Sequence, residues 1–184
     1  MLTARYDEAF RYAHELHGNQ KRKGTSIPYI SHLMIVSALV IENGGTEDQA
    51  IGALLHDAAE DQGGTKTLNE VRRRFGDVVA EIVSDCTDSW TEQKADWQPR
   101  KEAYLAELPA KPARSLLVSL ADKTHNAEAI LFDYRVLGEA LWERFNGGAA
   151  GTQWYYLSLA NIFSDVMPGR LSDRLSRAAT AFAA

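Results

Sequence analysis

The 184-residue chain is 45% hydrophobic and carries a formal charge of −5, which is enough apolar material for one self-sufficient core with no room for a second catalytic domain. That acidic balance excludes a surface given over to nucleic acid, since such surfaces neutralise phosphates with Lys and Arg. No apolar run approaches the roughly 20 residues of a membrane span, the N-terminal residues lack a basic-then-apolar leader pattern, and the one cysteine, Cys86, has no disulfide or metal-binding partner thiol. A cytoplasmic protein is expected.

In chain order, apolar residues recur at three- and four-residue steps through Leu2, Tyr6, Ala9, Phe10, Ala13 and Leu16, predicting a helix that Gly18 stops. Residues His17 to Pro28 read as a polar loop made basic by Lys21, Arg22 and Lys23. A second helix is predicted from Tyr29 to Asn43, ended by Gly44 and Gly45. Thr46 with Gln49 is close to a capping-box start, and one helix is expected to run from there through AIGALLHDAAED to Gly63 and Gly64. Thr67 to Phe75 and Asp77 to Thr87 form a pair hinged at Gly76. Ser89 to Trp97 reads as a loop exposing two tryptophans, followed by a short helix from Arg100 to Leu108. Pro112 opens a long helix through SLLVSLADKTHNAEAILFDY; a short helix from Leu137 to Phe145, a break at NGGAAG, and a helix from Thr152 to Val166 follow. After Pro168 a last amphipathic helix frays at AFAA. No segment alternates with period two, so the fold class is all-α, a bundle of about eight to ten helices in a single unit over residues 1–184.

The chemistry-bearing residues are His56 and Asp57, adjacent on their helix, whose side chains diverge by about 100° and share a target only beside the helix. A metal ion meets that requirement. One imidazole and one carboxylate suit Mn, Fe or Zn better than Ca. Further ligands are sought in His32, central on an apolar helix, and in Asp122, a carboxylate within LLVSLAD that would be costly to bury without a cation. Each is ambiguous alone, since a lone helical histidine is more often a hydrogen-bonded core residue. The order H, HD, D on three separate helices is not.

That pattern resembles the HD-domain phosphohydrolase superfamily. HGNQKRKGTSIPYISH, LLHDAAED, FGDVVAEIV and LADKTHN resemble more narrowly the hydrolase domain of RelA/SpoT-type enzymes, which remove the 3′-pyrophosphate of ppGpp and pppGpp with manganese. The resemblance implies metal ligands at His32, His56, Asp57 and Asp122, with Mn²⁺ the expected ion and Zn²⁺ or Fe²⁺ alternatives. It implies catalytic roles for Glu60 and Asp61, one helical turn beyond the HD pair, where carboxylates can orient or deprotonate water and manage a leaving group's proton. Arg22 and Lys23 fall on the family's nucleotide-contacting RK pair, with types suited to purine stacking and phosphate contact. Asn126, one turn past Asp122, is expected at the ribose or base, or else behind the ligands. GTQWYY resembles the segment of small stand-alone alarmone hydrolases that closes an aromatic over substrate. Of Trp154, Tyr155 and Tyr156, which cannot all face one way, Tyr155 is assigned to the site.

Two departures bear on specificity: Leu33 stands where the long bifunctional enzymes have proline, and LADKTHNA replaces LADRLHNM, introducing Lys123 and Thr124. The expected protein is a stand-alone alarmone hydrolase whose partner is a small nucleotide, with no nucleic acid or membrane. An HD phosphohydrolase acting on a nucleoside monophosphate or on NADPH phosphate, or a non-catalytic alarmone sensor, are the alternatives.

Overall fold

A computed structural model describes residues 1–90 and 96–183. Among them lie ten α-helices, two 3₁₀ turns and no strand. The helices are α1 (Ala4–His17), α2 (Ile30–Glu42), α3 (Glu47–Leu55), α4 (Ala58–Asp61), α5 (Gly64–Phe75), α6 (Asp77–Cys86), α7 (Trp97–Glu107), α8 (Ala113–Leu137), α9 (Gly148–Val166) and α10 (Arg170–Ala183). The 3₁₀ turns cover Leu108–Ala110 and Gly138–Arg144. The loop before α2 is closed by an isolated antiparallel bridge between Lys21 and Pro28.

The buried side chains form two clusters. One is aliphatic and alanine-rich, built from Ala9 and Ala13 of α1, Leu33, the Ile51, Leu54 and Leu55 face of α3, α4, and the facing sides of α5 and α6. The other joins Val36, Leu39 and Val40 of α2 to α7, α8, α9 and α10, and is rich in aromatics: Trp142, Tyr104, Tyr155, Tyr156, Phe163 and Phe182. Helix α2 contributes to both clusters, and the long α8 crosses beside it, so the two helices define a seam. Each fully buried Leu, Ile or Phe stabilises the fold by roughly 1.5–3 kcal/mol relative to exposure.

Most predicted elements form, with four differences. The helix expected to run unbroken from Thr46 to Gly63 starts with a complete capping box between Thr46 and Gln49, but breaks at the HD pair. Asp57 sits at φ −94°, ψ 0°, between regular helical values and turn geometry, and α4 restarts from it. The exit from α4 requires two successive left-handed residues, Gly63 at φ +111° and Gly64 at φ +60°, which explains the Gly-Gly. Trp97 is not an exposed loop residue: it begins α7 and lies over Gly147 and Gly151, where a Cβ would come within 2.7 and 3.1 Å of its ring. The glycines expected to break the chain therefore let α9 start at Gly148 under that ring. Residues 91–95 of the expected loop lie outside the described residues. Finally, Phe182 of the supposedly frayed end is fully buried against Trp142 and Tyr156.

Candidate metal centre

His32 projects from α2 into the seam and is fully buried; His56 and Asp57 reach it from the break between α3 and α4, and Asp122 from the middle of α8. Breaking the helix at the HD pair lets these adjacent side chains converge. His56 Nε2 lies 3.0 Å from Asp57 Oδ2 and 3.5 Å from Asp122 Oδ1, while His32 Nε2 lies 3.7 and 3.2 Å from the same two oxygens. One ligand atom each from His32, His56 and Asp57 falls within a 4.8 Å cluster.

The hydrogen bonds around this cluster orient the ligands for a cation. His56 Nδ1–H donates to the Ala53 carbonyl at 2.8 Å, leaving Nε2 as a lone pair. His32 Nδ1 is 2.6 Å from His125 Nδ1, with the rings stacked at 4.9 Å. Both Nε2 atoms are buried without a hydrogen-bond partner, although carboxylate oxygens surround them. Lone pairs facing carboxylates repel unless a positive charge lies between them. The potential there is strongly negative: burial alone would push His56 down, but Asp57 and Asp122 carry its affinity for a proton well above the ordinary range. Burial likewise opposes ionisation of Asp122, yet Lys123, bonded to it at 2.7 Å, and the two imidazoles hold its carboxyl well below the usual range. Two imidazoles and two carboxylates therefore fit a divalent cation of intermediate hardness.

Outer groups complete the centre. The Tyr29 hydroxyl donates to Asp57 Oδ2 at 2.6 Å, and burial followed by the Asp57 charge keeps it protonated. Asn126 links two predicted roles, donating from Nδ2 to Asp122 Oδ1 at 2.5 Å and accepting at Oδ1 from Arg22 Nη2 at 2.6 Å. Arg22 also lies over the Tyr29 ring, 5.7 Å from its centroid.

A cavity of about 540 Å³ opens beside this centre, lined by Arg22, Lys23, His125, Asn126, Arg144 and Tyr156 together with Ile35, Ile130, Phe132 and Phe145. It combines cationic groups with apolar and aromatic faces. A smaller cavity of about 350 Å³ is lined by Glu60, Asp61, Gly63, Gly64, Lys66 and Trp90. Glu60 accepts from the Asp88 backbone N–H at 3.3 Å and Asp61 accepts from Gln20 Nε2 at 2.8 Å.

The structure thus brings His32, His56, Asp57 and Asp122 together, places Arg22, Lys23 and Asn126 on the larger cavity, and places Glu60 and Asp61 on the smaller one. It does not bring Tyr155 to either cavity. That side chain is 4% exposed, packed edge-on against Trp97 with the Lys101 ammonium 5.0 Å from its ring. Its neighbour Tyr156, about 100° further round α9, lines the larger cavity instead. Sequence reasoning also passed over His125, Tyr29 and Gln20. For His125 a local signal existed, since it lies three residues after Asp122 on the same helix face. Burial and the neighbouring His32 and Arg22 push its imidazole down to about 3, so it is neutral near pH 7.

Residues 9–136 match the HD domain family. Among curated proteins, the chain is 37% identical over 122 residues to the guanosine-3′,5′-bis(diphosphate) 3′-pyrophosphohydrolase MESH1 of Xenopus tropicalis, covering 65% of each chain. It is 35% identical over 127 residues to that of Danio rerio, covering 67% of this chain and 68% of the fish protein. It is 34% identical over 122 residues to the Aquifex aeolicus guanosine-3′,5′-bis(diphosphate) 3′-pyrophosphohydrolase, covering 66% of this chain and 17% of that one. The matched part thus spans about two thirds of the frog relative and under a fifth of the bacterial one. A solved structure described as a metazoan orthologue of SpoT that hydrolyses ppGpp superposes with a TM-score of 0.77 at 24% identity, over 97% of this chain and 95% of that one, and so shares the fold. The H, HD, D centre, the all-helical fold and the match over most of the chain agree: this protein belongs to the HD domain family.

Proposed function

We propose that this protein is a divalent-metal-dependent hydrolase that removes the 3′-pyrophosphate of ppGpp and pppGpp, giving GDP or GTP and pyrophosphate. The observation that carries the reading is the convergence of the buried, unpartnered Nε2 atoms of His32 and His56 with Asp57 and Asp122, beside a cationic and aromatic cavity. The curated names of its relatives support the same substrate and bond.

In this reading His32, His56, Asp57 and Asp122 hold one divalent cation, manganese being the expected ion, which when bound supplies Lewis-acid charge for water activation and phosphate neutralisation. The protein's own groups do the rest. Tyr29 and the Ala53 carbonyl fix Asp57 and His56 in their ligating orientations. Arg22 and Tyr156 offer flat faces for a purine, while Lys23 and Arg144 offer charge to the nucleotide's phosphates. Glu60 and Asp61 orient the attacking water and take its proton. Water attacks the phosphorus attached to the 3′-oxygen, that P–O bond breaks, and the 3′-oxygen leaves as a hydroxyl after protonation. The complementary charge of the cavity allows a protein of net charge −5 to hold a polyanion. Among the described residues no helix is long and apolar enough to cross a membrane, and a cytoplasmic setting with a small nucleotide as partner completes the proposal.

The test is to incubate purified, manganese-loaded protein with ppGpp and separate the products. GDP and pyrophosphate in equal amounts are expected. Intact ppGpp, or orthophosphate as the first product, would overturn the reading, and the latter together with turnover of NADPH or a nucleoside monophosphate would establish the alternative phosphohydrolase.

A further inference from the structure

Gln20 sits between the cation-rich loop and the smaller cavity, and its three hydrogen bonds determine which way its amide faces. Oε1 accepts from His17 at 2.7 Å and from Gln62 Nε2–H at 2.8 Å. A carbonyl oxygen can only accept, so His17 Nδ1 carries its proton, and the amide is held with Nε2 toward Asp61 Oδ2 at 2.8 Å. A flipped amide would place its oxygen against the Asp61 carboxylate and its N–H groups against the Gln62 donor. The orientation is therefore over-determined. His17 is itself immobilised, 1% exposed and stacked on Tyr29 at 5.4 Å.

The backbone ties the same residue to the loop carrying Arg22. Tyr29 N–H donates to the Gln20 carbonyl and Arg22 N–H to the Ile27 carbonyl, both at 2.9 Å, on either side of the Lys21–Pro28 bridge. In extended backbone, residues two apart face the same side. Gln20 and Arg22 accordingly turn inward, half-buried, whereas Lys21 and Lys23 are exposed. One short segment thus reaches Asp61 with one side chain and, through Arg22 and Asn126, the metal ligand Asp122 with the other.

We infer that Gln20 is a positioning residue for hydrolysis: it fixes the Asp61 carboxylate for proton transfer and links that carboxylate to the loop that binds the nucleotide. The inference rests on the hydrolase reading above. It predicts an effect on turnover rather than on binding, because Gln20 acts through Asp61 and does not line the larger cavity.

The informative variant is Gln20→Glu, which keeps the shape and the acceptor for His17 and Gln62 but places a carboxylate oxygen where Asp61 had a donor. Gln20→Met, which removes all three bonds, is the second variant. Both should lower kcat for ppGpp by about tenfold or more with KM within about twofold, Gln20→Glu the more strongly, and melting temperatures identify any variant that fails to fold. In an Asp61→Asn background the Gln20→Met penalty should shrink to under about twofold, since residues acting as a unit are not additive. An equal penalty in that background, or a loss carried by KM, overturns the inference. Crystal structures of wild type and Gln20→Met decide it without activity: Asp61 in one rotamer in the first and displaced in the second supports it, and an unmoved Asp61 overturns it. Wild-type protein inert toward ppGpp would count against the hydrolase reading alone, leaving the structures to decide the role of Gln20.

Discussion

The two cores that meet at the seam serve different ends of the same site. The aliphatic core under α1, α3, α4, α5 and α6, together with α2 and α8, supports every candidate ligand and both candidate catalytic carboxylates, all within the 9–136 match to the HD family. The aromatic core under α7, α9 and α10 adjoins the wall that Arg144, Phe145 and Tyr156 give the larger cavity from beyond that match. The division is uneven: the candidate metal centre lies wholly within the family match, while the larger cavity is shared, with Arg22, Lys23, His125 and Asn126 inside the match and one wall from beyond it.

Breaking the first end should abolish the reaction whatever the substrate. Asp57→Ala removes a candidate ligand and leaves the Tyr29 hydroxyl without its acceptor, so we expect kcat/KM for ppGpp to fall by on the order of 10³-fold or more. Chelation should do the same to wild type reversibly, with activity returning on addition of manganese. Metal content and product chromatography check both outcomes; a variant that keeps wild-type turnover would remove Asp57 from the centre.

Breaking the second end should change affinity before it changes chemistry. Arg22→Ala should raise KM by about tenfold with a smaller change in kcat, as removal of a charged contact does. Tyr156→Leu should raise KM by about threefold to tenfold through loss of an aromatic face. Tyr155→Leu should leave KM unchanged and instead lower the melting temperature, because that side chain packs beneath Trp97 and not in the cavity. If Tyr155→Leu rather than Tyr156→Leu shifts KM, the assignment of the cavity wall is wrong.

The same comparison explains what could be read from the sequence. The helices and the H, HD, D pattern were legible because both repeat local rules, three- and four-residue apolar spacing and chemically distinctive residues within it. The break at Asp57 was not, because alanine-rich HDAAED reads as continuous helix and only the paired left-handed glycines at 63 and 64 hint at a tight exit. Tyr155 and Tyr156 differ by one helical step, and choosing between them requires knowing that Trp97 covers α9 from one side. Gln20 meets Asp61 from 41 residues away in the chain. No local pattern encodes such a distance.

The smallest predicted effect separates the cores by their response to alkali. The aromatic core buries Tyr104 beside Lys123, whose ammonium lies 5.1 Å from its ring, and burial pushes its hydroxyl up to about 12 although Lys123 opposes the shift. Burial raises Tyr155 and Tyr156 as well. The unfolded chain releases these protons near pH 10 while the folded protein retains them, so the unfolded state binds fewer protons in that window and stability falls as pH rises. For Tyr104 alone the loss is on the order of 1 kcal/mol per pH unit between about 10 and 12. Tyr104→Phe should flatten the decline, so melting temperatures of wild type and variant should diverge between pH 9.5 and about 11.5 and run parallel below it. Parallel decline across the whole range would place the alkaline weakness elsewhere, with Tyr12 of the aliphatic core, also raised by burial, the next residue to replace.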